Sequence, residues 1–330
     1  MMLGEDFKEF GKELQQLVGT RRVVAVIDRK VEELYGNLFP FEKIAVVADE
    51  PHKTMQTVEE VIQKLLELHA DRDVLLLGVG GGITTDICGF VASIYKRGVA
   101  CGLVPTTLLG MVDAAIGGKS GVNMLGFKNM VGSIRQPEFV VSSVEFLRTL
   151  SAVEVRQGLA EMLKAFLISG EHFEECGAFF AGSGVGEMLD DERKRAQLLD
   201  FIREAVAVKE AIVREDEREH GPRRLLNLGH TFGHALERCT GMSHGDAVAI
   251  GLVCAAKCAG SADSGLVTRV LQSCGLPVEV PAGVSRAAML EAMAQDKKRA
   301  DGRCRVVVLE RVGRAVVREV VDFDALFKTK

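Results

Sequence analysis

The first 150 residues alternate between short apolar runs and segments with helical spacing. The apolar runs are rich in Val, Ile and Leu and cover residues 21–28, 43–49, 73–82, 99–107 and 138–144. Residues 55–68 instead repeat apolar positions every three or four residues, which is typical of an amphipathic helix. Apolar runs flanked by helices indicate strands that are buried on both faces of a mostly parallel sheet. The pattern therefore predicts an α/β domain over residues 1–150.

The pattern changes near Ser151, where helical spacing takes over for most of the remaining chain. Residues 188–219 are rich in charged side chains and predict a long helix with one solvated side. A strand-like run over residues 304–321 follows near the end. We therefore expect a second, mainly α-helical domain over residues 151–330.

Composition narrows the class of protein. Apolar residues make up 47% and charged residues 26% of the chain, as in ordinary soluble domains. The net charge of −5 argues against a nucleic-acid or anionic-membrane partner. The apolar run at residues 247–256 is too short to span a bilayer, and residues 1–10 carry no export signal. Eight scattered cysteines without a CxxC pair favour a reduced, cytoplasmic protein. We expect a small-molecule substrate in place of a nucleic-acid or membrane partner.

Two glycine-rich segments suggest anion binding. Residues 78–82 read GVGGG at the point where a predicted strand turns into a helix, and backbone N–H groups at such a turn can bind a phosphate. Ile83 replaces the third glycine of the GxGxxG motif, so a tight turn without a ligand stays an alternative. Residues 110–132 are either an exposed linker or a second anion site, since they contain Lys119 and Lys128.

The strongest signal lies at residues 223–237, which read RRLLNLGHTFGHALE. Polar side chains at spacings of four, three, four and three predict one stripe on a helix: Arg223, Asn227, His230, His234 and Glu237. Two histidines four residues apart can bind one divalent metal, and His244 follows nearby. Gly229 and Gly233 each cost about 1 kcal/mol relative to alanine in a helix, so we expect another segment to pack closely there.

A second polar face is predicted on the helix after Ser151, where Gln157, Glu161 and Lys164 share one side. Glu161 and Lys164 fit an exposed ion pair, and Glu161 equally fits a carboxylate that completes a histidine metal site. The spacing alone leaves both interpretations open.

Taken together, these segments resemble the 3-dehydroquinate synthase family of sugar-phosphate cyclases over residues 21–310. The specific motifs are GGGITTDICGF (80–90), KRGV (96–99), VPTTLLGMVDAAIGGK (104–119), GFKNMVG (126–132), GLAEMLK (158–164), VKEAIVREDEREHGPR (208–223) and LNLGHTFGHALE (226–237). The resemblance implies a lyase of the shikimate pathway, which leads to aromatic amino acids. That enzyme converts 3-deoxy-D-arabino-heptulosonate 7-phosphate (DAHP) to 3-dehydroquinate and phosphate, and bound NAD accepts a hydride and later returns it.

The resemblance also implies a Rossmann-like NAD-binding domain, a helical metal and substrate domain, and a homodimer. Glu161, His230 and His244 match the ligands of a zinc or cobalt ion, which moves His234 to the phosphate. NAD contacts map to Asp49, Glu50, Lys53, Gly82, Ile83, Thr84, Thr85, Asp86, Thr106, Thr107, Lys119, Lys128, Phe146, Leu147, Arg148 and Thr149. Phosphate contacts map to Lys119, Asn129, Asn227, His234, Lys297 or Lys298, and Arg97 of a second subunit. The substrate carboxylate maps to Lys209 and Arg223, and its hydroxyls to Asp113, Lys164 and Glu219.

The sequence departs from the family at several points. Thr85 stands where a glycine is common, VDAAIGG (112–118) has alanines in place of serines, and the segment between His230 and His244 is shorter. Three other functions compete: a metal-dependent polyol dehydrogenase, a cyclase acting on another sugar phosphate, and an inactive NAD-binding regulator. The lysines, Arg223 and Asn227 favour a substrate with both phosphate and carboxylate, because a dehydrogenase needs no such cluster.

Overall fold

The computed structural model describes residues 1–296 and 304–320. The chain divides into two compact units. The first unit contains Met1–Ser151 together with Val185–Val206. The second contains Ala152–Gly184 and the described residues from Ala207 onward. A segment of the helical half of the sequence therefore belongs to the first unit.

Ten strands and twelve helices form the described part of the chain. The strands are β1 Met2–Gly4, β2 Val23–Asp28, β3 Glu42–Val46, β4 Leu75–Gly80, β5 Ala100–Pro105, β6 Lys119–Met124, β7 Phe127–Ile134, β8 Phe139–Ser143, β9 Cys304–Arg311 and β10 Arg314–Val320. The helices are α1 Phe7–Val18, α2 Arg29–Tyr35, α3 Met55–Glu67, α4 Gly82–Ile94, α5 Ala152–Ser169, α6 Phe173–Phe180, α7 Val185–Asp190, α8 Glu192–Glu215, α9 His230–Thr240, α10 His244–Ala259, α11 Ser264–Ser273 and α12 Arg286–Asp296.

The first unit is built on a six-stranded sheet of order β1-β8-β5-β4-β2-β3. All of its strand pairs are parallel, and Gly78 of the central strand β4 lies between Val26 and Leu103. Every residue of β4 is buried, which explains why this strand reads as a continuous apolar run. The predicted parallel α/β sheet, followed by a mainly helical region, is confirmed.

The glycine-rich segment over residues 110–132 is a folded part of the first unit. A short π-helix at Gly110–Ala114 precedes the antiparallel hairpin of β6 and β7. Gly121 and Gly132 face each other in this hairpin. A Cβ on Gly132 would lie 2.1 Å from the carbonyl oxygen of Ser120, so only glycine allows the strands to approach so closely. The interpretation of this segment as an exposed linker is wrong.

In the second unit, glycines bring α5, α9 and α10 into close contact. A Cβ on Gly233 would lie 3.2 Å from the carbonyl oxygen of Ala247, and one on Gly251 would lie 2.1 Å from that of Gly229. The expectation that another segment packs closely against these α9 glycines is confirmed. β9 and β10 form an antiparallel hairpin in the same unit.

The continuous helix predicted from Arg223 to Glu237 is interrupted. Arg223 and Asn227 lie on a 3₁₀ helix, Pro222–Asn227, and α9 begins only at His230. Gly229 is the N-cap of α9 and has φ +80°, a left-handed conformation that separates the two helices, and a Cβ there would lie 3.0 Å from Leu252. The single polar stripe is therefore wrong for Arg223 and Asn227, whereas His230, His234 and Glu237 share one helix.

No helix within the described ranges has both the length and the hydrophobicity that a bilayer crossing requires.

Candidate active site

The turn between β4 and α4 has the features of a pyrophosphate cradle. Gly81 is the N-cap of α4, and no side chain caps the helix there. A Cβ on Gly82 would lie 2.9 Å from Cβ of Ala114, so only glycine allows the start of α4 to pack this closely against Ala114. The hydroxyl of Thr84 is buried and has no hydrogen-bond partner among the described residues. Free N–H groups and an unpaired hydroxyl at a helix N-terminus fit the phosphates of a dinucleotide.

Thr85 is accommodated in this turn although a glycine is common there in the family. Its side chain is 2% exposed, and its hydroxyl donates to the carbonyl oxygen of Gly82 at 3.0 Å. The hydrogen bond closes within the first turn of α4, so the threonine does not disturb the start of the helix.

Lys53 connects two segments predicted to contact ligands. Its ammonium group lies 2.5 Å from Asp86 Oδ2 and 2.6 Å from Asn129 Oδ1, and the residue is only 5% exposed. Asp86 belongs to α4 and Asn129 to the β6–β7 hairpin. The predicted NAD residues Lys53 and Asp86 therefore lie together with the predicted phosphate residue Asn129.

The segment before Lys53 is also attached to the hairpin. Glu50 accepts a hydrogen bond from the Asn123 amide at 2.9 Å and lies 3.7 Å from the Lys128 ammonium. Asp49 caps the short 3₁₀ helix Glu50–His52 and accepts from the His52 backbone at 2.9 Å. Hydrogen bonds from His52 outweigh the slight desolvation of Asp49 and lower the pKa of its carboxyl. Asp49, Glu50 and Lys128 are therefore brought together.

The remaining predicted nucleotide residues fall into two groups. Thr106 and Thr107 follow β5 directly, and the Thr106 backbone N–H donates to Gly80 at 2.9 Å, beside the glycine turn. Phe146, Leu147, Arg148 and Thr149 lie on a 3₁₀ helix, Val144–Thr149. Phe146 is 1% exposed within an aromatic cluster, and Arg148 pairs with Glu145 and Asp190. The structure places the first group beside the cradle and gives Phe146 and Arg148 packing and ion-pair partners.

Two predicted substrate residues occupy unusual backbone. Asp113 lies in the π-helix Gly110–Ala114, a type of turn that is frequent at functional sites. Arg97 is exposed and has φ +67°, and the preceding Lys96 has φ +47°. Consecutive left-handed residues other than glycine are costly and concentrate at functional positions. Lys119 lines a cavity beside α4 together with Thr85, Asp86 and Arg135.

Glu161, His230 and His244 form a compact cluster in the second unit. One ligand atom from each lies within 4.8 Å of the others. Glu161 Oε1 is 3.1 Å from His244 Nε2 and 3.5 Å from His230 Nε2, and the Glu161 side chain is fully buried. Two imidazole nitrogens and one carboxylate oxygen are a common donor set for catalytic zinc, and they leave a position open for substrate. The residues present fit the predicted divalent metal.

The titratable groups of this cluster shift one another's pKa values. Burial opposes the ionisation of Glu161, but Lys164, His230 and His244 hold the pKa of its carboxyl well below its usual range. Burial lowers the pKa of His230 to about 3. Burial would also lower the pKa of His244, but the hydrogen bonds that its ring donates to Glu161 and Glu237 raise it to about 10. Glu161 is therefore ionised and His230 is neutral, which are the protonation states in which these two side chains can bind a metal ion.

Lys164 and Glu161 are in contact one turn apart on α5, and both side chains are at most 3% exposed. The interpretation of this pair as an exposed surface ion pair is wrong. His234 lies one turn beyond His230 on α9, with ring centroids 5.3 Å apart. Lys164 and His234 are thus brought to the metal cluster.

A loop before α9 organises the predicted carboxylate residue Arg223, which is 2% exposed. The carboxylate of Asp216 accepts from the backbone N–H groups of His220, Gly221 and Arg223 at 2.9, 2.6 and 3.1 Å. The Arg223 guanidinium donates to the carbonyl oxygen of Glu217. Desolvation of Asp216 opposes these hydrogen bonds, which lower the pKa of its carboxyl. Asp216 was not predicted from the sequence.

The other residues predicted to contact the substrate are Asn227, Glu219, Lys209, Lys297 and Lys298. The Asn227 amide donates to the Glu219 carboxylate, which pairs two predicted residues. Lys209 lies on α8 and is 8% exposed. Lys297 and Lys298 lie outside the described residues.

Glu237 is a further residue to which the sequence comparison assigned no role. Its Oε1 lies 2.6 Å from His244 Nδ1, on the other side of the ring from Glu161. The signal for it was present in the sequence, because Glu237 follows His234 by three residues on the same helical face.

Comparisons with known proteins agree over most of the sequence. Residues 43–157 match the sequence profile described as 3-dehydroquinate synthase N-terminal, and residues 158–299 match the one described as 3-dehydroquinate synthase C-terminal. A 3-dehydroquinate synthase of Pyrococcus furiosus is 43% identical over 287 residues, which cover 86% of this chain and 82% of the relative. One from Legionella pneumophila is 38% identical over 333 residues, covering 96% and 88%.

Solved structures with a similar fold include a sugar-phosphate cyclase relative and a dehydrogenase. The 2-epi-5-epi-valiolone synthase of Streptomyces hygroscopicus, solved with NAD⁺ and Zn²⁺ bound, is 29% identical, with a TM-score of 0.84 over 98% of this chain and 94% of that one. A probable glycerol dehydrogenase of Sinorhizobium meliloti, 17% identical, has a TM-score of 0.61 over 89% and 87% and shares the fold alone. Because both halves match the family profiles and the relatives align over most of their length, the chain belongs to the 3-dehydroquinate synthase family.

Proposed function

We propose that this protein converts DAHP to 3-dehydroquinate and inorganic phosphate, with NAD and a divalent metal as cofactors. The observation that carries the proposal is the identity of the buried cations. Within the described residues, the buried Lys and Arg side chains are Lys53, Lys164, Lys209 and Arg223. Burial of a cation is costly unless an anion or another polar partner compensates. All four match family positions for NAD or substrate, and two of them, Lys209 and Arg223, match the positions for a substrate carboxylate.

Different residues bind the metal and NAD. When bound, the metal supplies Lewis-acid polarisation of a hydroxyl or ketone oxygen, and NAD supplies a reversible hydride acceptor. Glu161, His230 and His244 hold the metal. Residues 1–150 bind NAD, chiefly through Lys53 and the glycine turn, and residues 151–330 bind the metal and most of the substrate. Asp113, Lys119 and Asn129 of the first region also contact the substrate.

The substrate anions are held by different groups. Arg223 binds the carboxylate through its planar guanidinium, with Lys209 as the second cation. Asn129, Lys119, Asn227 and His234 hold the phosphate, and Lys297 or Lys298 adds a further cation. Cations around the phosphate stabilise the charge that builds up as it leaves. Asp113, Lys164 and Glu219 orient the hydroxyls.

We further propose that the protein is a cytoplasmic homodimer. The cysteines whose side chains are described are all free thiols, which suits a reducing compartment. The exposed Arg97, held on strained backbone, suits a residue that serves a second subunit.

The reaction is tested by incubating the protein with DAHP, zinc and a small amount of NAD. We expect inorganic phosphate in many-fold excess over NAD, without accumulation of NADH absorbance, because the hydride returns to the substrate within each cycle. A chelator should abolish phosphate release, and zinc or cobalt should restore it. A heptulose 7-phosphate that lacks the carboxylate serves as the control substrate.

Two outcomes would contradict the proposal. Stoichiometric NADH without phosphate release would indicate a dehydrogenase. Equal or faster turnover of the carboxylate-free sugar phosphate would indicate a different cyclase and would remove the proposed role of Arg223.

A further inference from the structure

Glu237 is a buried carboxylate that contacts the metal cluster without belonging to the Glu161, His230 and His244 set. Its side chain is 5% exposed, and its Oε1 lies 2.6 Å from His244 Nδ1. A buried carboxylate is costly to desolvate, so a short contact to one ring nitrogen calls for a specific explanation.

The explanation lies in the two nitrogens of His244. Nε2 points at Glu161 Oε1 at 3.1 Å, which makes it the nitrogen that faces the metal position. An imidazole that binds a metal through one nitrogen keeps its proton on the other, and a hydrogen-bond acceptor there fixes the tautomer and the ring orientation. We propose that Glu237 is a positioning residue, which holds the Nδ1–H of His244 so that Nε2 is presented to the metal. The inference rests on the metal site proposed above.

His230 provides an internal comparison. Its Nδ1 donates to the backbone carbonyl oxygen of Leu228 at 3.2 Å, so both histidines direct Nδ1 to an acceptor and Nε2 to Glu161. The His230 side chain is 13% exposed, whereas that of His244 is 28% exposed at the first position of α10. The less enclosed ring has the charged and shorter hydrogen bond. The hydrogen bond to Glu237 therefore orients the ring of His244, whereas closer packing helps to orient the ring of His230.

The fold explains how Glu237 reaches this ring. It lies seven residues after His230 on the same face of α9, and Gly233 between them allows α9 to approach α10 closely. Glu237 also lies within 4.8 Å of ligand atoms of His234 and His244, an arrangement that fits a second metal ion. The hydrogen bond to Nδ1 favours positioning instead, because an Nδ1 that carries a proton for Glu237 has no lone pair left to bind a second metal ion.

The experiment compares metal binding in the full-length protein with Glu237→Gln, Glu237→Ala and His230→Ala. Zinc affinity is measured by competition with a chelator, cobalt by its visible d–d spectrum, and the fold by NAD affinity and apo melting temperature. Glu175→Gln is the matched control, because Glu175 Oε2 contacts His172 Nδ1 at 3.0 Å at an exposed site away from the cluster. We expect zinc affinity to fall roughly 10- to 100-fold in Glu237→Ala and less in Glu237→Gln, with a shifted cobalt spectrum in both. NAD affinity should remain unchanged.

The outcomes separate this inference from the metal site itself. Loss of zinc in His230→Ala with wild-type zinc affinity and cobalt spectrum in both Glu237 variants would overturn the positioning role alone. Full zinc affinity in His230→Ala would overturn the metal site and the inference together. A change from two bound ions per chain to one in Glu237→Ala would make Glu237 a ligand and overturn positioning. If Glu237→Ala does not fold, the isosteric Glu237→Gln decides by the same measurements.

Discussion

At the scale of single residues, the site depends on acceptors that hold functional groups in place. Asp216 illustrates this, because one carboxylate accepts three backbone N–H groups in the loop that leads to Arg223. Arg223 itself is 2% exposed and donates to a backbone carbonyl oxygen of the same loop. The direction of its guanidinium is therefore set by the loop, and the loop is set by Asp216.

Asp216→Asn should weaken substrate binding without affecting NAD. Asparagine keeps one accepting oxygen but places an NH₂ group against N–H donors, so the loop loses its arrangement. We expect KM for DAHP to rise roughly 10-fold with a smaller change in kcat, because the carboxylate is bound similarly throughout the reaction. Steady-state kinetics and NAD titration measure this.

Asp191→Asn is the matched control for that experiment. Asp191 accepts from the backbone N–H groups of Arg193 and Lys194 at 2.9 and 3.0 Å at the start of α8, in the first unit, whereas Asp216 lies in the second. An equal rise in KM for both variants, or parallel loss of NAD affinity in Asp216→Asn, would assign Asp216 a general structural role.

At the scale of elements, sequence and structure agree where burial decides the pattern. β2 and β4 are buried strands, and their apolar runs predicted them within a few residues. The β6–β7 hairpin was not predicted, because its facing glycines give no alternation of apolar and polar positions. The break at Gly229 was also missed, since local spacing favours a helix while a contact with Leu252 requires left-handed backbone.

In the site, too, the sequence predicts neighbours on one helix but not contacts between distant segments. The stripe on α9 gave His230, His234 and Glu237 from spacing alone. Glu161 and His244 are 83 residues apart, and no local pattern brings them together. Their pairing came from the family resemblance, and the structure brings them within 3.1 Å. Asp216 and Glu237 act through hydrogen bonds that form only after folding, so no spacing in the sequence indicates which atoms they contact.

A substitution at Gly245 tests how closely α5 and α10 must approach each other to form the metal cluster. A Cβ at this position would lie 2.3 Å from Cα of Gln157, which precedes Glu161 by one turn of α5. Gly245→Ala must therefore move the first turn of α10, including His244, away from α5. We expect zinc affinity to fall roughly 10- to 100-fold, as for other changes that misorient a ligand. The apo protein should lose about 1–3 kcal/mol of stability from overpacking.

Gly265→Ala is the control for an added methyl group. Gly265 lies on α11, and a Cβ there would approach only the Arg269 guanidinium, at 3.6 Å. We expect unchanged zinc affinity and equal or slightly higher stability. Wild-type zinc affinity in Gly245→Ala would show that α5 and α10 can separate without disturbing the ligands.

At the scale of the whole molecule, the proposed dimer predicts that each substrate site needs residues from two chains. Arg97 is exposed and lies on left-handed backbone, and by resemblance it contacts the phosphate bound to a second subunit. Arg223 by contrast is buried within the second unit, and we propose that it binds the substrate of its own chain. One dimer site would thus combine Arg97 of one chain with Arg223 of the other.

Mixing Arg97→Ala with Arg223→Ala under conditions of subunit exchange should restore activity. Each variant alone has a defect in both sites of its homodimer. In a mixed dimer both defects fall in one site, and the other site is intact. If half of the dimers are mixed, the expected activity is about one quarter of wild type in a two-fold symmetric enzyme. Phosphate release from DAHP measures it, with native mass spectrometry giving the fraction of mixed dimers. Activity that stays at the level of the separate variants, although mixed dimers are present, would place Arg97 in its own chain's site and remove the argument for a shared site.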